Sequence, residues 1–525
     1  VVVIFSDELA PEFLGAYGGS LPTPNLDRLA AGGMRFDRAY SAAPMCTPSR
    51  FGLLTGTYAG RSIDPAFLEA YPRTDPYSIA WNTYLTPETT TLPRVLSAAG
   101  YVTGMAGKWH LGRELAGDEE LPALDPDADP ADPEVEARLK ERQRIVRRRI
   151  AEAGGFDEVR SASWGNLDGF PVRALAMHNF PWITRGAVDF ITEHGKGERP
   201  FFLYVATTAV HGPYHPDEYQ RDPRYTVEGR RDDVARYAPD ADAVNAALAE
   251  VPEHLRHKYA GMVSLDHHVG VILDTLEEQG LADDTLVVFM ADHNTEPAKA
   301  TCFEKGSVVP MLVRWPGTVP AGSSTGALVQ GVDLLPTLAE LAGAKPPARV
   351  DGVSLVPVWR NPAATVRDHV YLESGYARAV TDGAFKYIAV RYPEAVIARL
   401  EAGEDDLAPN HLDAPRQAHS QIAIEHYPGY FDPDQLYDLG SDPYEQSNVA
   451  ADPAHAETLQ ALRRTLEAQL RTFEHPYDLA EIPFLGSDEY REMAERTRGV
   501  GTDWIPWLPR DHGRIVWPPE PDPAP

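Results

Sequence analysis

The sequence predicts an α/β fold in which a sheet of buried strands is flanked by helices and followed by a smaller α+β subdomain. Three observations predict it. Val1 to Phe5 is a continuous apolar, β-branched run, the pattern of a strand covered on both faces, and similar runs recur at Phe201–Ala206, Thr285–Met290 and Pro310–Trp315. Helical patterns lie between these runs, the alternation expected of a parallel sheet with crossover helices. Three runs lead into polar residues: Asp7 after the first, His211 after the second and Asp292-His293 after the third. Ligands in such sheets bind beyond the carboxyl ends of the strands, so these residues mark a candidate site.

The elements follow in order. Thr23-Pro24-Asn25-Leu26 opens a helix with Pro in its first turn, and Gly32-Gly33 closes it. Cys46 precedes Pro48-Ser49-Arg50, another helix start, whose free N–H groups and partial positive charge suit a bound sulfate or phosphate. Pro93–Ala99 and Asp333–Ala342 are further short helices. In Gly107-Lys108-Trp109-His110-Leu111-Gly112, Lys108 and His110 alternate, so an extended segment points both to one side. Residues from about 114 to 165 read as an insertion over the sheet, an Asp/Pro-rich loop followed by a charged helix at Glu134–Ile150. The character changes near residue 370. Ala377–Val390 suggests a hairpin around Asp382-Gly383, Gln435–Leu439 a short strand, and Leu459, Leu462, Leu466 and Leu470 the stripe of an amphipathic helix. The organisation expected is therefore 1–370, 371–475, and a Pro/Trp-rich tail at 476–525 (Trp504, Trp507, Trp517) that wraps the surface or a partner subunit.

Composition narrows the function. An apolar content of 43% across 525 residues supplies a large core, and no apolar run reaches the length of a membrane span. A net charge of −30 argues against nucleic acid and anionic membrane surfaces as partners. An anionic substrate then needs cations concentrated locally. The chain begins at Val1, which leaves a leader segment open, and with it cytoplasmic, periplasmic and secreted locations. A homo-oligomer is equally open. Two cysteines, Cys46 and Cys302, cannot staple a chain this long, so Cys46 is expected to have a chemical role.

Cys46-Thr47-Pro48-Ser49-Arg50, followed by Leu54-Thr55-Gly56, resembles the signature of the type I, formylglycine-dependent sulfatases of the alkaline phosphatase-like superfamily. Gly107–Gly112, His211-Gly212-Pro213-Tyr214, Phe303-Glu304, Pro310, Asp333–Thr337, Asp351-Gly352 and Leu436–Leu439 with Asp442-Pro443 match further family landmarks in the family's order. The resemblance runs from residue 1 to about 475. It implies a mixed, mostly parallel sheet, a catalytic domain over 1–370, and hydrolysis of a sulfate ester of a carbohydrate or an aryl alcohol. It implies that Cys46 is oxidised to formylglycine by a separate maturation enzyme, and that Asp7, Glu8, Cys46, Asp292 and His293 hold one divalent cation. Ca²⁺ is favoured; His293, standing where the family often has Asn, leaves Mg²⁺ or Mn²⁺ as alternatives. Glu8 departs from the family's usual Asp. Arg50, Lys108, His110, His211, Asp292 and Lys299 complete the implied catalytic set. The family's pattern of a lysine followed by an aromatic-Glu pair and a Pro, matched here by Phe303-Glu304 and Pro310, implies Lys299 rather than Lys305 as the site lysine.

Two rivals remain at the level of sequence. A phosphate diester or phosphonate monoester hydrolase of the same superfamily would use the same nucleophile and metal. A non-catalytic protein that binds sulfated ligands would keep Cys46 as a thiol. A narrower expectation is that Cys302, three residues after Lys299, pairs with an unmodified Cys46; the plainer alternative is a small buried residue.

Overall fold

Strand β1 (Val2–Ser6) is buried along its whole length and lies inside an eight-stranded sheet. The computed structural model describes residues 1–480, apart from 20, 114, 116–117, 167–168, 213–217, 250, 253–254, 296–297, 402–422 and 424–425, and beyond 480 only the strand pair Arg510–Asp511 and Arg514–Ile515. Trp504, Trp507 and Trp517, and with them the expected wrapping tail, lie outside the described residues.

The other strands of the large sheet are β2 (Met34–Phe36), β3 (Val102–Lys108), β4 (Glu158–Ser163), β5 (Phe201–Ala206), β6 (Val287–Ala291), β7 (Met311–Arg314) and β8 (Ser323–Thr325), in the order β8-β2-β7-β6-β1-β5-β3-β4. Neighbours are parallel except at β7, which runs antiparallel to both β6 and β2. The sheet is mixed and mostly parallel. Its central strands β6, β1 and β5 are buried throughout and apolar except for Ser6 at the end of β1, as expected where helices cover both faces.

Helices α1 (Pro24–Ala31), α2 (Cys46–Thr55), α3 (Leu92–Ala98), α4 (Pro133–Gly154), α5 (Phe180–His194), α6 (Arg256–Glu278) and α7 (Leu334–Leu341) supply that cover. α5 packs across β3 and β4 and against α6, while α7 packs on α2 and α3. α4 starts where the Asp132 side chain accepts a bond from the Glu134 N–H, and it stops at Gly155, with φ of 76°. The segment expected as an insertion over the sheet does more than cover it. After α4 the chain re-enters the sheet as its edge strand β4, parallel to β3, so 133–163 is a crossover unit of the sheet itself.

A second sheet is antiparallel, with strands β9 (Val370–Ser374), β10 (Ala377–Thr381), β11 (Phe385–Val390) and β12 (Asp434–Asp438) in that order. The turn between β10 and β11 is closed by the Asp382 carboxylate, which accepts from the N–H groups of Ala384 and Phe385, with Gly383 at φ of 83°. Helix α8 (Ala456–Leu470) lays Leu462, Leu466 and Leu470 on β10 and β11. Cys302 and Phe303, from the loop after β6, are buried in the core this sheet shares with Tyr427 and Tyr437. The two sheets are therefore packed together behind that loop.

Candidate active site

Four adjacent parallel strands deliver the polar side chains. Asp7 and Glu8 follow β1, Asp292 and His293 follow β6, His211 follows β5, and Lys108 ends β3. α2 brings Cys46 to the same point as its first residue, with Met45 extended before it. Four donors meet here: ligand atoms of Asp7, Cys46, Asp292 and His293, all buried, lie within 4.8 Å of one another. Cys46 Sγ is 3.3 Å from His293 Nε2 and 3.6 Å from Asp7 Oδ1. His293 Nδ1 donates to the Asn294 carbonyl at 2.7 Å, which turns Nε2 toward the cysteine.

Cations surround this group. Arg50, one turn along α2, donates from Nη2 to Asp292 Oδ2 at 2.9 Å and from Nη1 to the Lys108 carbonyl at 3.3 Å. Lys108 Nζ binds Asp7 Oδ2, and Lys299 Nζ lies 2.8 Å from Glu8 Oε2 and 2.7 Å from His211 Nε2. His110 lies close enough to the Cys46 thiol for each to shift the other's pKa.

The backbone is strained at the same place. Glu8, His110 and Ala300 take φ of 56°, 53° and 64°, values a non-glycine residue adopts at a cost. The expected alternation of Lys108 and His110 along one extended segment therefore does not occur. The strand ends at Lys108, and His110 reaches the cysteine through a left-handed turn.

Glu8, expected among the metal ligands, stands outside the four-donor group. Its carboxylate binds Lys299 and accepts from Thr295 Oγ1 at 3.2 Å, and its N–H donates to Asp292 Oδ1 at 3.0 Å. Lys305 points elsewhere, to Glu12 at 2.9 Å. Cys302 and Cys46 are both free thiols. Burial pushes the Cys302 pKa up to about 12, and its side chain lies in the apolar core with Phe303 and Tyr427. No feature of the sequence points to Lys258, which lies buried in α6 with its Nζ on Thr295 Oγ1 and 3.9 Å from Glu8. No motif surrounds it; only the packing of α6 brings it to the site.

The electrostatics suit a cation among the four donors. Burial and the nearby Asp7 push the Asp292 carboxyl up, whereas Lys108, His211 and Arg50 hold Asp7 low against burial and Cys46. His293 is carried up to about 9: burial opposes the shift, but Asp292 and Cys46 outweigh it. Buried carboxylates and a thiol thus draw a proton onto His293, and a divalent cation would answer the same field. For Cys46 itself, burial is the largest influence and raises the thiol pKa. Lys108, His293, Lys299 and His110 together reverse it and hold the thiol well below its ordinary value.

A sequence profile of the sulfatase family matches residues 1–344. The chain belongs to the sulfatase family. This sulfatase also matches, over residues 298–391, the profile described as N-sulphoglucosamine sulphohydrolase, C-terminal. It is 30% identical to human arylsulfatase A over 90% of this chain and 88% of that protein. It is 26% identical to an N-acetylgalactosamine-6-O-sulfatase of Bacteroides thetaiotaomicron, over 89% of this chain and 92% of the relative. Among solved structures, one determined with its substrate D-glucosamine-2-N,6-O-disulfate superposes with a TM-score of 0.58 at 18% identity, covering 92% of this chain and 99% of that one. The phosphonate monoester hydrolase of Agrobacterium radiobacter gives 0.56 at 20% identity, over 89% and 95% of the two chains. These two superpositions establish the fold. As a sulfatase the protein is a sulfuric ester hydrolase, and no helix among its described residues is long and apolar enough to cross a membrane.

Proposed function

We propose that this sulfatase desulfates a carbohydrate, with Cys46 converted to formylglycine and one divalent cation held by Asp7, Asp292, His293 and the group at position 46. The observation that carries the chemistry is the convergence of those four buried donors at the start of α2, ringed by Lys108, Lys299 and Arg50. Two carboxylates and a single imidazole favour a hard cation, Ca²⁺ first and Mg²⁺ or Mn²⁺ next. When present, the hydrated aldehyde supplies an oxygen nucleophile, and the cation supplies the charge that acidifies it and polarises the sulfuryl group.

The chain's own residues account for the rest. Arg50 fixes Asp292. Lys108, Lys299 and the N–H groups at the start of α2 lie where negative charge on sulfuryl oxygens needs balancing. His211 donates from Nδ1 to the Gly212 carbonyl at 2.5 Å and accepts from Lys299 at Nε2, so the two form one proton-carrying unit for the leaving oxygen. Burial, with Lys108, lowers the His110 pKa and keeps the ring neutral, able to take a proton from the group at position 46 when sulfate departs.

The substrate class is read from the cleft above the site. It contains Thr47, His110 and His211 and is walled by Trp81, Tyr84, Trp164 and Phe170. Thr47, His110, Ser163 and Asn166 line it, and Thr47 Oγ1, His110 Nδ1, Ser163 Oγ and Asn166 Oδ1 are buried polar atoms that lack a partner among the described residues. Aromatic faces beside unsatisfied donors and acceptors suit a sugar ring and its hydroxyls. The relatives named for N-acetylgalactosamine sulfate and the neighbour solved with a glucosamine disulfate point the same way. The partners are then the sulfated saccharide and a formylglycine-generating enzyme.

Two measurements test the reading on protein from a maturation-competent host. Intact mass should fall by about 18 Da against the unmodified chain, since a thiol and a hydrogen give way to a carbonyl oxygen. Sulfate and phosphate esters with matched leaving groups should then be compared. Faster turnover of the phosphate ester would replace the proposal with a phosphoester hydrolase, and an intact thiol in native protein would leave only ligand binding.

A further inference from the structure

Helix α4 faces the same cleft and is rich in basic side chains. Arg138, Lys140, Arg144, Arg147, Arg148 and Arg149 each hold a carboxylate or a carbonyl. Arg142 holds none: among the described residues it makes no hydrogen bond or ion pair. Its guanidinium lies 5.7 Å from the centre of the Phe170 ring, partly buried in the cleft wall that also carries His110 and His211. Asp118, the anion whose field it feels, has both oxygens on Arg149. Burial lowers the Arg142 pKa, the reverse of Arg144 and Arg149, whose carboxylate partners raise theirs.

The chain has a net charge of −30 and carboxylates to spare, so a half-buried guanidinium without one is unusual. Withdrawing a cation from water without an anion costs free energy, and a ligand that brings an anion recovers it. The flat guanidinium rests near an aromatic face, which restricts its plane and leaves its fork of donors for a planar or tetrahedral oxyanion. Gln143, the next residue, donates to the Ala162 carbonyl at 2.5 Å and ties this turn of α4 to the edge strand β4. The subsite is therefore built on regular structure.

Resting on the carbohydrate reading above, we propose that Arg142 is a specificity-determining residue that receives a second anionic group, a carboxylate or a further sulfate, on the saccharide whose sulfate ester reacts at position 46. The preferred substrate is then a multiply charged saccharide, and a neutral sugar bearing one sulfate is a poorer one.

Calorimetric binding to the full-length protein tests this separately from turnover. The probes are a 6-sulfated hexosamine, its 4,6-disulfated form, and the 6-sulfated hexosamine joined to a hexuronate. Wild type should bind at least one doubly charged probe about tenfold or more tighter than the singly charged one. Arg142→Met should erase that preference while leaving hydrolysis of a small aryl sulfate within about twofold of wild type. Arg142→Lys, which keeps the charge and loses the fork, should retain only part of the preference, and it serves as the test if the methionine variant does not fold. No preference in wild type, or a preference that survives either substitution intact, overturns the inference. A matured wild type that releases no sulfate from any probe overturns the carbohydrate-sulfatase reading instead, and the binding comparison still decides the role of Arg142.

Discussion

Glu8 and Lys299 are both buried and 2.8 Å apart, and that contact separates two roles an acid at this position can have. A metal ligand would turn its carboxylate toward Asp7 and Asp292, whereas Glu8 turns it toward Lys299 and Thr295. Burial pushes the Glu8 carboxyl up, but Lys299, His211 and Lys258 outweigh it and hold it low, so it stays charged. Glu8→Gln should therefore leave bound metal per chain unchanged, by elemental analysis, and lower kcat about 10–100-fold, because Lys299 loses its counter-ion beside His211. Loss of metal in that variant would return Glu8 to the ligand set. His293→Ala is the contrast: it removes one of the four donors, and metal content and activity should fall together, with partial recovery only at high added Ca²⁺. Most of this site was legible in the sequence because Asp7, Cys46, Lys108, His110, His211, Asp292 and Lys299 come in motifs in a fixed order. Lys258 was not. It contributes through tertiary placement alone, and a lysine inside a long helix looks like any solvated one.

Elements differed in legibility for a physical reason. β1, β5 and β6 declare themselves through unbroken apolar runs because both their faces are buried. β3 contains Thr103, Gly104, Ala106 and Gly107 and carries almost no such signal, and β4, at the sheet edge, is largely polar. Both were found only through their pairing. β3 is small-sided because its neighbours come close. A Cβ at Gly104 would lie 2.3 Å from the Phe190 ring, and one at Gly107 would lie 1.8 Å from the Ala206 carbonyl. Gly107 also has φ of 102° and sits where the register against β4 shifts, a bulge that re-aims the chain just before Lys108. Gly107→Ala is expected to lower stability by about 2–4 kcal/mol in urea unfolding. The variant that still folds should lose kcat for every ester tested, because Lys108 no longer meets Asp7. Full activity in that variant would show that the bulge does not position the lysine.

At the scale of the whole molecule, the smaller sheet is attached to the catalytic loop by charge as well as by apolar packing. Lys386, on β11, is fully buried. It donates to the Cys302 carbonyl at 2.8 Å and pairs with Glu304 at 2.7 Å and Glu445 at 3.3 Å. Glu445 in turn accepts the Glu304 N–H at 2.5 Å. One lysine thus serves two carboxylates, Glu304 just after Lys299 in the chain and Glu445 from the smaller subdomain, and the second carboxylate is under-compensated. Burial pushes the Glu445 pKa up to about 7; Lys386 opposes the shift and Glu304 adds to it. The consequence for stability has a definite sign. Between an unfolded-state pKa of 4.5 and a folded-state value of about 7, the folded protein binds more protons than the unfolded chain, so stability falls as pH rises through this window and levels off above it. Glu445→Gln keeps an acceptor for the Glu304 N–H and removes the titration. Wild type should therefore lose on the order of 1–3 kcal/mol relative to this variant between pH 5 and pH 8, read from urea unfolding at matched ionic strength. Parallel stability curves for the two proteins would show that Glu445 is charged throughout, satisfied by Lys386 alone. The drift should persist at high salt, because a fully buried pair is poorly screened.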